Sequence, residues 1–390
     1  MKQLPNNFES ALKSYLKKTF YPGTRKEDFS VRDFTEGDYR FFAKGVGRLT
    51  EYFTSDRGSL PRNYFNQKDL RSGYLFYFLP VNALKVAGLL NYIPDPFFQR
   101  PLKVLDLGSG PGTGMLGVHC RGAPMCAPSE KGQTHGSAPT HHYTLADQNR
   151  DVLQDALGLK TALGIPGELR IRAGDLLNNS LAKVVPPEPY DLILLINFLN
   201  EFSSERRASL LDILLRRYLA PGGRILIAEP ALQRITRELM ELRDELLQTE
   251  RGHVYAPCLH QEACPMLAHN QRDWCHIYLD WERPRWIEKL DRMLHLRKEY
   301  LKSSFLILGN EPAPTYTAET WRVVSGHINS KGKSEMLLCG PGGLPQLKRV
   351  TRLDRDQSPA NQDFDRAQRG DLVETVVGDR LTKEKKFRVR

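Results

Sequence analysis

Four cysteines stand in polar company in the second half of the chain. Cys258 and Cys264 lie in PCLHQEACP, Cys275 in DWCH, and Cys339 in LLCGPGG. Four thiolates can hold an iron–sulfur cluster or a zinc ion. Zinc sites favour close pairs such as C-x2-C, and none occurs here. Wider spacing with a Cys-Pro step leaves room for a bulkier cluster. The CxxxCxxC spacing of radical chemistry is absent. His260 and His276 are candidate substitute ligands. Buried free cysteines are the plain alternative, but His, Gln, Asp and Arg flank Cys264 and Cys275, which is poor company for a core. A site of this kind ties residues 258–275 to Cys339, so metal binding becomes folding free energy and the role is structural rather than redox.

The second chemistry lies in VLDLGSGPGTG, residues 104–114. A short apolar strand runs into an acid and then into glycines, where the backbone must turn sharply and approach a ligand that any Cβ would obstruct. Such a turn also suits dinucleotides. Two features favour S-adenosylmethionine. Asp106 stands at the entrance of the turn, as in class I methyltransferases, where it helps hold the methionine part. Asp147 ends the next strand, where a carboxylate meets the ribose hydroxyls. Asp175 follows as an acid placed like the one near the adenine amine. The expected cofactor set is therefore Asp106, Gly108, Gly110, Gly112, Asp147 and Asp175. Each acid has a local alternative: a helix N-terminal partner, a strand-end cap, a turn residue. Their joint order along the chain favours the cofactor. Residues 197–201 (NFLNE) differ from the Pro-Pro-Tyr element of amino-methylating nucleic-acid enzymes, so no catalytic residue is assigned.

The elements that must position these groups alternate. Strands are expected at 102–107, 143–147, 191–199, 224–230 and 302–310. Helices are expected near 149–163, 204–219, 231–249 and 284–302. This alternation implies a parallel, doubly wound α/β sheet. Residues 119–142 read as a surface loop with Cys120, Cys126, His135, His141 and His142, and zinc there is a weak alternative. A hairpin is expected around 329–333. The division expected is a helical region at 1–98, a cofactor-binding core at 99–253, a four-cysteine region with the remaining strands at 254–340, and a basic tail at 341–390, either a small β-module or partly disordered.

The chain has 390 residues and a net charge of +10. That excess favours polyanionic partners. The segment 284–302 carries Arg283, Arg285, Lys289, Arg292, Arg297, Lys298 and Lys302 on or beside it, candidates for phosphate contact or for a solvated helix face. No run approaches the roughly 18 apolar residues that span a bilayer. The N-terminus reads as an amphipathic helix rather than a leader.

The joint occurrence of VLDLGSGPGTG, PCLHQEACP, DWCH and LLCGPGG resembles the methyltransferase-like family of mitochondrial small-ribosomal-subunit assembly factors and their bacterial relatives, over roughly residues 70–345. The resemblance implies a class I methyltransferase fold and a [4Fe–4S] cluster on Cys258, Cys264, Cys275 and Cys339. It also implies binding to small-subunit ribosomal RNA during assembly, near the forming mRNA channel and head. Three functions follow: an RNA-binding assembly factor using the fold as a scaffold, an active ribosomal RNA methyltransferase, and a methyltransferase of other substrates with a zinc site. The partners expected are the small subunit and its RNA, with no membrane and a monomer off the ribosome. The compartment expected is the cytoplasm for a bacterial chain and the mitochondrial matrix for a eukaryotic one.

Overall fold

The computed structural model describes residues 3–21, 34–54, 63–122, 140–269, 271–342, 347–375, 378 and 380–390. The expectations for Cys126 and His135 fall outside these residues. The chain divides into two compact units, Met1–Ile196 with Asp280–Leu301, and Asn197–Leu279 with Lys302–Arg390.

The first unit holds four parallel strands, β1 (Lys103–Leu107), β2 (His142–Asp147), β3 (Leu169–Ala173) and β4 (Tyr190–Ile196), in the order β3-β2-β1-β4. β1 and β4 are almost wholly buried, as their near-continuous apolar sequences require. The chain steps outward from β1 to β3, then returns to place β4 on the other side of β1. The reversal makes the carboxyl ends of β1 and β4 the switch point where ligands bind in open α/β sheets. Thr113–Gly122 is a helix directly after the glycine turn, and Arg150–Leu163 follows β2. Asn149 caps the latter, accepting from the N–H groups of Asp151 (2.9 Å) and Val152 (3.2 Å). The loop expected at 119–142 is thus too long: His119 and Cys120 belong to a helix, and His142 opens β2. Only apolar periodicity could have extended that helix, and its short last turn carries little.

Helices Phe8–Phe20 and Glu36–Thr54 precede a 25-residue helix, Lys68–Tyr92. By length and composition this helix could cross a membrane, against the sequence expectation, because Arg71, Asn82 and Lys85 break its apolar run without lowering its mean hydropathy much. Its apolar window is 83% buried inside the protein, which is the environment of a core helix. Gly45 and Gly73 let two backbones touch: a Cβ on Gly45 would lie 2.0 Å from the Asp69 carbonyl oxygen. Backbone cannot swing aside as a side chain can. Gly45→Ala is expected to destabilise by ~1–3 kcal/mol despite alanine's better helix propensity. A melting temperature equal to or above that of the wild type would refute this close crossing.

The basic helix expected at 284–302 is shorter, Arg285–Met293. His295 takes a positive φ of 53°, which breaks the helical path, and the chain is extended again from Leu301. Trp286 donates its indole N–H to the Phe76 carbonyl (3.2 Å), and the Tyr77 hydroxyl meets Asp291.

The second unit contains two sheets. Of β5 (Leu219–Glu229), β6 (His253–Ala256), β7 (Ile277–Leu279) and β8 (Leu301–Gly309), β8 lies between β5 and β6, antiparallel to both, and also pairs β7. The strand expected at 191–199 stops at Ile196, because Asn197 adopts φ 55° and turns the chain. The 204–219 helix likewise divides into Ser204–Ile213 and a wider turn, Leu214–Tyr218. The second sheet has six strands: β9 (Thr320–Val323), β10 (Ile328–Ser330), β11 (Lys333–Cys339), β12 (Leu347–Leu353), β13 (Leu372–Thr375) and β14 (Phe387–Val389). Ser330 pairs Lys333 across the expected hairpin, with Gly332 at φ 77°. The described part of the tail is a β-module. Its Val350, Phe364, Val373 and Phe387 share one core with Trp321, Met336 and Leu338.

Candidate functional site

The glycine turn is held by its own acids. Gly108 and Ser109 donate to the Ala146 carbonyl (2.8 and 3.1 Å), which fastens the end of β1 to β2. Gly108, Gly110 and Gly112 have φ of 65°, 51° and 86°, a region that strains any other residue. The Gly110 N–H donates to Asp147 Oδ2 (2.9 Å), and the Gly114 N–H to Asp106 Oδ2 (3.1 Å). A Cβ on Gly114 would lie 2.5 Å from that same Asp106 oxygen, so a small residue is required there.

Asp106 is 1% exposed, and its Oδ1 is buried with no hydrogen-bond partner. Burial pushes its carboxyl up to about 8, against the pull of the Gly114 and Met115 N–H groups, with the Asp147 charge adding to the rise. Burial raises Asp147 too, opposed by the N–H groups of Asn149, Gly110 and Gln148. Gly174 donates to the Asp147 carbonyl (3.0 Å), which brings Asp175 to the same end of the sheet. Asp175 closes its own turn: Oδ1 accepts from the N–H groups of Leu177 (2.8 Å) and Asn178 (3.2 Å). Sequence reading passed over Phe65 and Asn66. The Phe65 ring lies 3.9 Å from where a Gly110 Cβ would stand, and Asn66 Oδ1 accepts from the Asn149 amide (2.7 Å). An aromatic among so many others carries no mark of its position in sequence.

All four cysteines line one cavity of the second unit, together with His260, His276, Arg243 and Arg322. None is in a disulfide. Among the described residues, no group of three or more His, Cys, Asp or Glu takes the geometry of a site for a metal ion. Burial raises the Cys264 thiol to about 11, with the Cys258 charge adding to it. Burial first, and then the neighbouring cysteines, also push Cys275 and Cys339 upward. Burial, and then Arg243, lowers His260 to about 4. Burial, and then Arg369, does the same to His276. Both rings are neutral at pH 7. The Glu262 N–H donates to His260 Nδ1 (3.2 Å), which leaves the ring proton on Nε2, 3.7 Å from Cys339 Sγ. His260 is therefore placed to donate to a sulfur rather than to replace it.

The basic segment is largely engaged within the protein. Arg283 pairs with Asp291 (3.0 Å), Lys289 with Glu36, and Arg292 with Glu288 (3.9 Å). Lys298 lies over the Tyr77 ring (5.2 Å), and Lys302 over Tyr278 (4.8 Å).

A family model described as mitochondrial small ribosomal subunit Rsm22 matches residues 89–373, nearly three quarters of the chain. The chain belongs to the Rsm22 family. The matched region takes in the glycine turn and all four cysteines. No curated protein matches the chain. Among solved structures, a putative class I S-adenosylmethionine-dependent methyltransferase from Listeria monocytogenes is 13% identical, with 80% of this chain and 92% of that one covered and a TM-score of 0.40. Magnesium protoporphyrin IX methyltransferase from Synechocystis, solved with bound S-adenosylmethionine, is 12% identical, with 68% and 97% covered and a TM-score of 0.35. Mitomycin 7-O-methyltransferase is 16% identical, with 57% and 65% covered and a TM-score of 0.36. The first unit of this Rsm22-family chain is an α/β fold with parallel strands in the order β3-β2-β1-β4.

Proposed function

We propose that this chain is an assembly or translation factor of the mitochondrial small ribosomal subunit, working in the matrix. In this reading it contacts small-subunit ribosomal RNA, binds S-adenosylmethionine in its first unit and holds a structural [4Fe–4S] cluster on Cys258, Cys264, Cys275 and Cys339. The observation that carries the reading is the family match, which spans both candidate sites and whose description names that subunit. The positive net charge supports a polyanionic partner.

The residues fit the cofactor. S-adenosylmethionine carries an ammonium group, a sulfonium and ribose hydroxyls. Asp106 Oδ1 is a buried oxygen short of a donor, and Asp147 stands at the adjacent strand end. When bound, the cofactor supplies an electrophilic methyl group. Asp106 and Asp147 would orient it, and Gly108, Gly110 and Gly112 would let the backbone approach. The preserved glycine turn favours a second reading, an active ribosomal RNA methyltransferase.

The residues also fit a cluster. One zinc ion, with Zn–S near ~2.3 Å, would need four sulfurs close around a single point. Among the described residues no group takes the geometry of a single-ion site, while all four cysteines line one cavity, which suits a larger centre.

The test is reassembly. Purified chain, incubated with small-subunit RNA and proteins, is expected to bind with an affinity that falls steeply with salt. Radiolabelled S-adenosylmethionine in the same mixture separates the two readings: label in RNA supports the enzyme, and bound cofactor without transfer supports the scaffold. Salt-insensitive binding, or none, would refute an RNA-contacting role.

A further inference from the structure

Three arginines of the second unit are buried beside the cysteines, and two of them, Arg243 and Arg322, line the four-cysteine cavity, although buried arginine is uncommon without a dedicated partner. Arg243 is 0% exposed, Arg322 5% and Arg369 8%. Each grips backbone beside a cysteine. Arg243 donates Nε–H to Cys258 Sγ (3.3 Å) and reaches the carbonyls of His260 (2.9 Å) and Glu262 (2.6 Å). Arg322, whose own backbone pairs with Cys339 across β9 and β11, donates to the Pro257 carbonyl (3.1 Å) and the Gly370 carbonyl (2.7 Å). Arg369 donates to the carbonyls of Trp274 (3.3 Å) and Val324 (2.6 Å), and takes Asp273 with two bonds of 2.8 Å. The carbonyls of Pro257, Trp274 and His260, each within two residues of a cysteine, are thus fixed by guanidinium groups.

Charge explains why arginine stands there. Four thiolates around a dication, whether zinc or an oxidised [4Fe–4S] core, leave a net charge of about −2, and burying it uncompensated is costly. Asp244 pairs with Arg243 and Asp273 with Arg369, so the guanidinium groups themselves stay ionised in the interior.

We propose that Arg243, Arg322 and Arg369 form a buried cationic cradle that preorganises the four-thiolate centre and offsets its charge, with Arg243 hydrogen-bonded to the Cys258 sulfur. The proposal rests on the reading of those cysteines as metal ligands. Arg243 is a positioning residue, since a guanidinium is not a ligand.

The experiment uses the full chain loaded with iron and sulfide without oxygen, as wild type, Arg243→Met and Arg243→Lys. Metal release to a chelator is followed in time, and thermal unfolding is measured for loaded and metal-free forms. Arg243→Met is expected to release metal about 10–100-fold faster. It should also lose most of the thermal shift that loading gives the wild type. For an iron centre its reduction potential should move negative. Arg243→Lys keeps the charge but loses the planar fork, so it should fall between the two. An Arg243→Met protein with wild-type release rate and wild-type thermal shift on loading overturns the cradle. So does a variant destabilised equally with and without metal, which would mark a purely structural arginine. Should Arg243→Met fail to fold, Arg369→Lys decides by the same two readouts. A wild-type chain that takes up no metal overturns the ligand reading itself, and the cradle with it.

Discussion

On the proposed cluster reading, replacing Cys264 by serine is expected to strip the chain of its metal and loosen the second unit around the cavity. Cys264 is 5% exposed, and its backbone N–H is held by both oxygens of Asp244 at 3.1 and 3.0 Å. Its carbonyl accepts from the N–H groups of Leu267 and Ala268 and so starts the short helix Pro265–His269. The position is fixed before any metal arrives. Serine preserves these backbone bonds and removes only the soft ligand, so whatever is lost reports ligation. The proposed ligands come from a loop after β6, from DWCH and from the end of β11, and among the described residues no disulfide joins those segments. Metal binding would close long stretches of chain, which makes it folding free energy. Iron per chain is expected to fall from about four to well below one. The melting temperature should fall on the order of 10 °C, from a loss of several kcal/mol. Hydrogen exchange should quicken at β9 and β11. Cys120→Ser is the control: Cys120 is buried in the helix Thr113–Gly122 of the first unit, so iron should be unchanged. Full iron and an unaltered visible spectrum in Cys264→Ser would remove Cys264 from the ligand set.

The two candidate sites stood out in the sequence because each rests on residue types that other roles rarely need. Three glycines after a buried strand signal positive φ, and Gly108, Gly110 and Gly112 have it. Clustered cysteines in polar surroundings signal metal, and the four now share one cavity. The supporting residues could not be found in this way. Arg243 sits in the amphipathic helix Gln233–Gln248, where arginine ordinarily faces water, and only tertiary packing reveals that it is wholly buried. Arg322 and Arg369 were hidden for the same reason. The run 284–302 shows the opposite failure. Its helical pattern is real up to Met293, but a single left-handed residue, His295, ended it, and nothing in the type of that residue announces the break. Its charges were candidates for phosphate contact or for a solvated helix face, yet several of them pair with acids and rings that are distant in sequence, such as Glu36 and Tyr77. The β-module at the C-terminus was half visible, because short strands with charged turns resemble disordered tails until their core partners, Trp321 and Met336, are known.

Asp106→Asn is expected to weaken S-adenosylmethionine binding while making the unliganded protein more stable. The sign follows from burial. The Asp106 carboxyl is raised from the usual 3.8 to about 8 in the folded chain, so the folded state holds a proton that the unfolded state has released over that range. Stability contributed by this group is therefore present at low pH. It declines as pH rises from about 4 and stops declining above about 8. Asparagine cannot ionise, so its advantage over aspartate should grow across the same window. At neutral pH it is expected to reach ~1–3 kcal/mol, the cost of a buried polar atom without a partner. Ligand binding should respond in the opposite sense. The cofactor's ammonium group favours a carboxylate at Asp106, and asparagine offers it a neutral oxygen, so affinity should fall about tenfold or more. Calorimetry with S-adenosylmethionine, paired with thermal unfolding at pH 5, 6, 7 and 8, checks both halves. Equal affinity in the two proteins would show that Asp106 serves only to hold the Gly114 N–H. A stability difference that does not change with pH would show that its carboxyl titrates in the ordinary range. Both together would reduce the acid to a brace for the turn, and the ammonium group of any cofactor would have to find its counter-charge elsewhere. A gain in stability joined to a loss of affinity is the pattern of a binding site kept at a cost to the fold, and it would mark Asp106 as a residue retained for its ligand.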